Sequence, residues 1–222
     1  MSRPDLGFIH RFVPPSATRK EVKDKRQIIT LLLLHGTGGN EDDMIPLGQA
    51  LAPTSATAIL SPRGKVLENG VAPRFFKRLE EGVFDMQDLK FRTHELADFV
   101  EAASKAYGFD LKHIVAVGYS NGANIATSIM LLRPKTLSAA ILFRPMVPLV
   151  PDMTPDLSDV NVFISAGLHD RIVARKETEQ LVNLLSKAGA KVVLHWHEGG
   201  HELGREEIVA AKDWLATNIT PQ

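Results

Sequence analysis

Two short runs, IITLLLLH (28–35) and HIVAVGY (113–119), are apolar almost from end to end. A strand with one wet face alternates in polarity, and a surface helix repeats every 3.6 residues. A short run with neither period is read as a strand covered on both sides, as in the interior of a parallel sheet. Segments of strand character fall near 7–13, 28–35, 57–61, 113–119, 138–143, 160–166 and 191–197.

Helical stripes lie between them. Leu181, Leu184, Leu185 and Ala188 mark a helix over 175–188, stopped by Gly189. Leu96, Phe99, Val100, Ala103 and Tyr107 mark 89–107, ended by Gly108. Ile208, Ala211, Leu215 and Ile219 mark 205–219, with Pro221 beyond. The segment 121–132 is apolar nearly all round, which predicts a helix packed inside the fold. This alternation predicts one domain over 1–222, built on an open, mostly parallel central sheet with helices on both faces. Functional groups in such sheets gather at the carboxyl ends of the strands. A candidate catalytic residue should therefore follow a strand rather than precede one.

Bulk composition removes several functions. The 222 residues hold 26 Lys plus Arg against 26 Asp plus Glu, so no global charge attracts nucleic acid or a membrane surface. There is no cysteine, which excludes disulfides, thiolate metal sites and a cysteine nucleophile. The N-terminal MSRPDLGFIHRFVPP lacks the apolar core of a signal peptide, and the run 28–34 is too short to span a bilayer. The expectation is a cytoplasmic protein without membrane insertion.

Gly118-Tyr119-Ser120-Asn121-Gly122 is a G-x-S-x-G pentapeptide between a predicted strand and a predicted helix. That context defines a nucleophile elbow, a sharp turn that exposes the serine hydroxyl. The alternative is a plain strand-to-helix turn with Ser120 as a cap. A serine nucleophile needs a base, and the base needs an orienting carboxylate, in the chain order Ser, Asp or Glu, His. Asp170 follows the strand NVFISAG, whereas Asp152, Asp156 and Asp159 precede it. The alternative for Asp170 is a cap or an ion pair with Arg171 or Arg175. His201 follows KVVLHWH in a glycine-rich loop. His195 lies inside that strand, and His35 and His169 sit beside other loops. The loop His35-Gly36-Thr37-Gly38-Gly39-Asn40 follows an early strand and resembles the loop that gives one oxyanion N–H in lipases and esterases. Thr37 N–H is then one donor and Asn121 N–H the other.

The stretches LLLLHGTGGNEDDM (31–44), VAVGYSNGANIA (115–126), SAGLHDRIV (165–173) and EGGHEL (198–203) resemble the phospholipase/carboxylesterase family of the α/β-hydrolase superfamily. The stretch 62–89 looks like a bacterial carboxylesterase subgroup related to acyl-protein thioesterases. The resemblance implies an α/β-hydrolase fold and a carboxylesterase with Ser120 as nucleophile, Asp170 as acid and His201 as base. Thr37 and Asn121 would form the oxyanion hole. The implied reaction needs no cofactor and no metal, and acts on a small-molecule ester; a homodimer is compatible with the family. Two departures stand out. HDRIVA replaces the family's usual H-D-P-x-V-P, and Asn121 replaces the Gln that follows the nucleophile in the thioesterase branch, which favours small-ester hydrolysis over depalmitoylation. The chain leaves little room for a large cap domain, and none is expected. Phe75, Phe76, Phe84 and Met146 are candidate pocket residues, with buried packing the alternative for each. Arg144 is a candidate contact for a polar substrate group, with a structural ion pair as its alternative.

Three rivals remain on sequence grounds. HEGGH (197–201) matches the zinc signature H-E-x-x-H, with His195 a possible third ligand. That motif needs a helix, which Gly199-Gly200 disfavours by roughly 2 kcal/mol relative to two alanines. A thioesterase or lysophospholipase can use the same triad. A non-catalytic binding protein can use the same fold.

Overall fold

The computed structural model describes residues 4–17 and 28–219. Pro221 and the first three residues of the N-terminal stretch lie outside them. The central sheet has seven strands: β1 (His10–Val13), β2 (Ile29–Leu34), β3 (Thr57–Pro62), β8 (Ile114–Tyr119), β9 (Ala139–Phe143), β10 (Asn161–Gly167) and β11 (Lys191–His197). Four shorter strands, β4 (Val66–Glu68), β5 (Ala72–Arg74), β6 (Arg78–Glu80) and β7 (Val83–Phe84), form two hairpins between β3 and the next helix. The sheet order is β1-β3-β2-β8-β9-β10-β11. Only β1 runs antiparallel, against β3; every other neighbouring pair is parallel.

Side chains alternate between two buried faces. Leu32 and Leu34 of β2 join Ala116 of β8 and Leu142 of β9 on one face; Leu31 and Leu33 join Val115, Val117 and Ile141 on the other. Both faces are covered, so neither can be polar, which is why the runs lack alternation. Burying each of these leucines contributes about 1.5–3 kcal/mol. Helices α2 (Met86–Tyr107), α3 (Asn121–Leu132) and α4 (Arg175–Lys187) cover the first face. Helices α1 (Ile45–Leu51) and α5 (Arg205–Asn218) cover the second. The chain is an α/β-hydrolase fold, and no large cap is built from the described residues.

Local chemistry sets the boundaries. Asp85 caps α2 by accepting from the N–H groups of Gln87 and Asp88, four residues before Leu89, the first buried apolar side chain of the helix. Gly108 ends it in the left-handed region at φ 76°. Helix α3 is buried from Asn121 to Leu131, as its nearly all-round apolar pattern implies. The seven-residue α1 and the four hairpin strands were not foreseen. They are too short for either pattern to repeat often enough to be read.

Candidate active site

Strand β8 delivers Ser120 to the carboxyl edge of the sheet, where α3 begins. Ser120 sits at φ 52°, ψ −114°, a conformation that non-glycine residues rarely adopt. Its N–H donates to Phe143 O at 2.9 Å, which ties the turn to β9. A methyl group at Gly122 would lie 1.9 Å from Leu34 O, and one at Gly118 would lie 2.6 Å from Ala123 Cα. Both glycines are therefore dictated by close approach of backbone. The Ser120 hydroxyl does not cap α3. It meets His201 Nε2 at 3.0 Å instead.

His201 Nδ1 lies 2.8 Å from Asp170 Oδ2. The other carboxylate oxygen of Asp170 accepts from the N–H groups of Ile172 (2.8 Å) and Val173 (3.0 Å). Its side chain is fully buried, while the imidazole keeps a partly open edge. Arg175 pairs with Glu179, so it is not the partner of Asp170. Ser120, His201 and Asp170 thus form one hydrogen-bonded chain assembled from three post-strand loops. Such a chain can move a proton off the serine as it attacks, and can hold the resulting imidazolium.

The loop carrying His201 is clamped. Arg144, at φ 56° and completely buried, donates from Nε to Gly200 O (2.8 Å) and from Nη2 to Glu202 O (2.8 Å). These are the carbonyls of the residues on either side of His201. Tyr119 Oη donates to His201 O at 3.1 Å. The remaining guanidinium donors bind Glu207 (2.6 and 2.7 Å) and Ser165. Burial alone would raise the Glu207 carboxyl, but bonds from Arg144, Ser165 and Gly204 N–H hold it below its ordinary value. Every nitrogen of Arg144 is therefore spent on the chain itself. The structure gives Arg144 the structural ion pair, and leaves it no donor for the substrate contact considered from sequence.

The glycine loop after β2 is equally fixed. His35 is buried, with Nδ1 2.7 Å from Gly36 O, while Nε2 accepts from Gly64 N–H at 2.9 Å. These bonds require the neutral ring with its proton on Nδ1. Among the described residues the Thr37 N–H meets no acceptor of the chain. Asn121 is the first residue of α3, so its N–H is an unpaired helix donor. These are the two N–H groups expected for an oxyanion hole. Burial pushes the His35 ring below its ordinary value of 6.5. A lowered folded value means that the unfolded chain binds the proton first. Stability is then complete above 6.5 and is lost as the pH falls toward the folded value. His35 is expected to add a slope of at most about 1.4 kcal/mol per pH unit in that window. Urea titrations across pH should show the slope in the native protein and not in His35→Gln.

The other candidates divide. Thr37, Phe84, Ser120, Asn121 and Met146 line one cleft of about 30 Å³. Phe75 and Phe76 are buried beneath it: Phe75 packs 4.7 Å from the His35 ring, and Phe76 meets Phe84 edge-on at 5.1 Å. Their role here is packing. Asn124, Arg74 and Arg78 also line the cleft and were missed. Asn124 falls on the same apolar-looking helix as Ser120, where its polarity was the available signal.

HEGGH does not form the helix that its zinc reading requires. Strand β11 ends at His197, and α5 begins only at Arg205. A methyl group at Gly199 or Gly204 would lie 2.5 or 2.7 Å from the His197 ring, so these glycines make room for an imidazole. His195 stacks on Phe163 with ring centres 6.0 Å apart. The loop is also less free than its glycines suggest. Gly199 O accepts from His169 N–H, and Gly200 O from Arg144.

A model of the phospholipase/carboxylesterase family matches residues 18–219. MhqD of Bacillus subtilis (strain 168), a protein named as a hydrolase, is 47% identical over 189 residues, which is 85% of this chain and 93% of MhqD. The crystal structure of the Bacillus cereus carboxylesterase superposes with a TM-score of 0.88 at 44% identity, covering 96% of each chain. A carboxylesterase from Mesorhizobium loti gives a TM-score of 0.84 at 33% identity, again over 96% of each chain. Among the described residues no helix is long and apolar enough to cross a membrane.

Proposed function

The chain belongs to the phospholipase/carboxylesterase family, and on that premise we propose that it is a serine hydrolase cleaving carboxylic esters of small molecules. The observation that carries this reading is the unbroken chain from Ser120 Oγ through His201 to Asp170, with bonds of 3.0 and 2.8 Å. Ser120 attacks the ester carbonyl while His201 Nε2 takes its proton. The carbonyl oxygen becomes an oxyanion between the Thr37 and Asn121 N–H groups. His201 then gives the proton to the departing alcohol, leaving an acyl group on Ser120. Water, deprotonated by His201, releases the acid and restores the serine. Asp170 stays ionised throughout and holds the imidazolium by Nδ1. No step needs a cofactor.

The cleft is small, about 30 Å³, which favours short acyl chains. A panel of 4-nitrophenyl esters from acetate to decanoate tests the reading. Turnover is expected to peak at the short end and to vanish in Ser120→Ala. A wild-type profile no higher than that of Ser120→Ala would remove the hydrolase reading.

A further inference from the structure

The cleft beside Ser120 offers hydrogen-bond donors where a plain fatty-acid ester would need hydrocarbon. Asn121 and Asn124 both line it and are 2% and 4% exposed. Each carboxamide is held in one orientation. Asn121 Oδ1 accepts from Phe75 N–H, and Asn124 Oδ1 accepts from Met146 N–H, both at 2.8 Å. Only an oxygen can accept those bonds, so neither amide can be flipped. What each has left over is its NH2 group. Asn121 Nδ2 is buried and, among the described residues, has no partner. A buried donor without an acceptor calls for an explanation, and this one belongs to a residue that lines the cleft.

Further donors surround the pair. Thr37 Oγ1 accepts from Arg74 Nη1 at 2.7 Å, which leaves its own hydrogen to donate. Arg74 and Arg78 stand on the same cleft, with Glu68 bridging them at 3.0 and 2.7 Å. One carboxylate thus faces two guanidiniums inside. The second, Glu81, pairs with Arg78 from a side chain that is 60% exposed. The inner wall, with one carboxylate against two guanidiniums, is short of acceptors and carries one positive charge, which Glu81 balances from the outer edge of the cleft.

We infer that the cleft binds a free carboxylate carried by the substrate, so that the enzyme takes small esters bearing a second, ionised acid group. The inference rests on ester hydrolysis at Ser120 and names the class of ester. A carboxylate supplies several acceptor sites and the charge that two amides, a hydroxyl and two arginines can share. The cleft volume limits such a substrate to a few carbons.

Monomethyl succinate, methyl butyrate and methyl levulinate form the test set. They place a carboxylate, a methyl group and a ketone at comparable distances from the scissile ester. The expected kcat/KM order puts the succinate ester about 10- to 100-fold above the butyrate, as hydrogen bonds to a charged group allow. Asn124→Asp keeps an oxygen for Met146 N–H but turns the donor into an anionic acceptor. It is expected to reduce the succinate-to-butyrate ratio at least about tenfold. Free succinate should likewise bind Ser120→Ala at least about tenfold more tightly than butyrate does, read by calorimetry. Equal kcat/KM for succinate and butyrate esters, with both lost in Ser120→Ala, would overturn the inference and leave hydrolysis standing. Succinate binding to Ser120→Ala without cleavage of any ester by the native protein would do the reverse. A levulinate ester as good as the succinate ester, or an unchanged ratio in Asn124→Asp, would also overturn it.

Discussion

Ser120→Ala is expected to lower kcat/KM for a short-chain ester by about 10⁴- to 10⁶-fold while the protein stays folded. In the proposed reaction the hydroxyl forms the acyl bond, and His201 Nε2, 3.0 Å away, deprotonates it. Neither acts without the other. His201→Ala should therefore cost a comparable factor, and the double variant little more than either single one. Additive losses would show that the two residues do not work as a unit. The residual rate belongs to the Thr37 and Asn121 N–H groups, which no side-chain deletion removes. Stability should move the other way in Ser120→Gly. Glycine tolerates φ 52°, so relief of backbone strain is expected to add about 1 kcal/mol in urea unfolding to an inactive protein.

Arg144→Met is expected to cost about 3–5 kcal/mol of stability, because it leaves the Glu207 carboxylate buried and unpaired. It should also lower kcat about 100-fold in the protein that remains folded, since a small displacement of a reacting group is enough for that loss. The two effects have separate origins. Glu207 is the partner that suffers in stability, and the Gly200 and Glu202 carbonyls are the partners that place His201. Arg144→Met with Glu207→Met removes the orphaned charge and should recover most of the stability. It cannot recover the two carbonyl bonds, so kcat should stay low. Full activity in the stabilised double variant would show that Arg144 serves folding alone.

What could be read from the residues differs by physical cause. The inner strands β2, β8 and β9 announced themselves because burial on two faces leaves almost no polar position, whereas the edge strands β1 and β11 keep polar residues and were read from their Val, Phe and Trp content. Ser120, Asp170 and His201 were legible because topology fixes their chain order and puts each just after a strand. The helix Ile45–Leu51 and the hairpins between Val66 and Phe84 were not legible. Strands of two or three residues have no period, and their pairing depends on the cleft they frame. The Arg144 clamp was half visible. An ion pair could be guessed from its buried position, but its partner Glu207 lies 63 residues away and one helix further on. A local sign of Glu207 was its place three residues after Gly204, whose N–H it accepts at 2.6 Å. The amides of Asn121 and Asn124 were hidden for another reason. Their donors matter only because the backbone of Phe75 and Met146 occupies their oxygens, and that is a fact of tertiary structure.

The most direct test of the central claim is covalent. A fluorophosphonate ester reacts with a serine only where a base and an oxyanion hole activate it. The folded protein is incubated with the probe, digested and read by mass spectrometry. The account predicts one phosphonyl group, on the peptide that contains Ser120, and none in Ser120→Ala or His201→Ala. No adduct on the folded native protein, or an adduct that persists in Ser120→Ala, would contradict it.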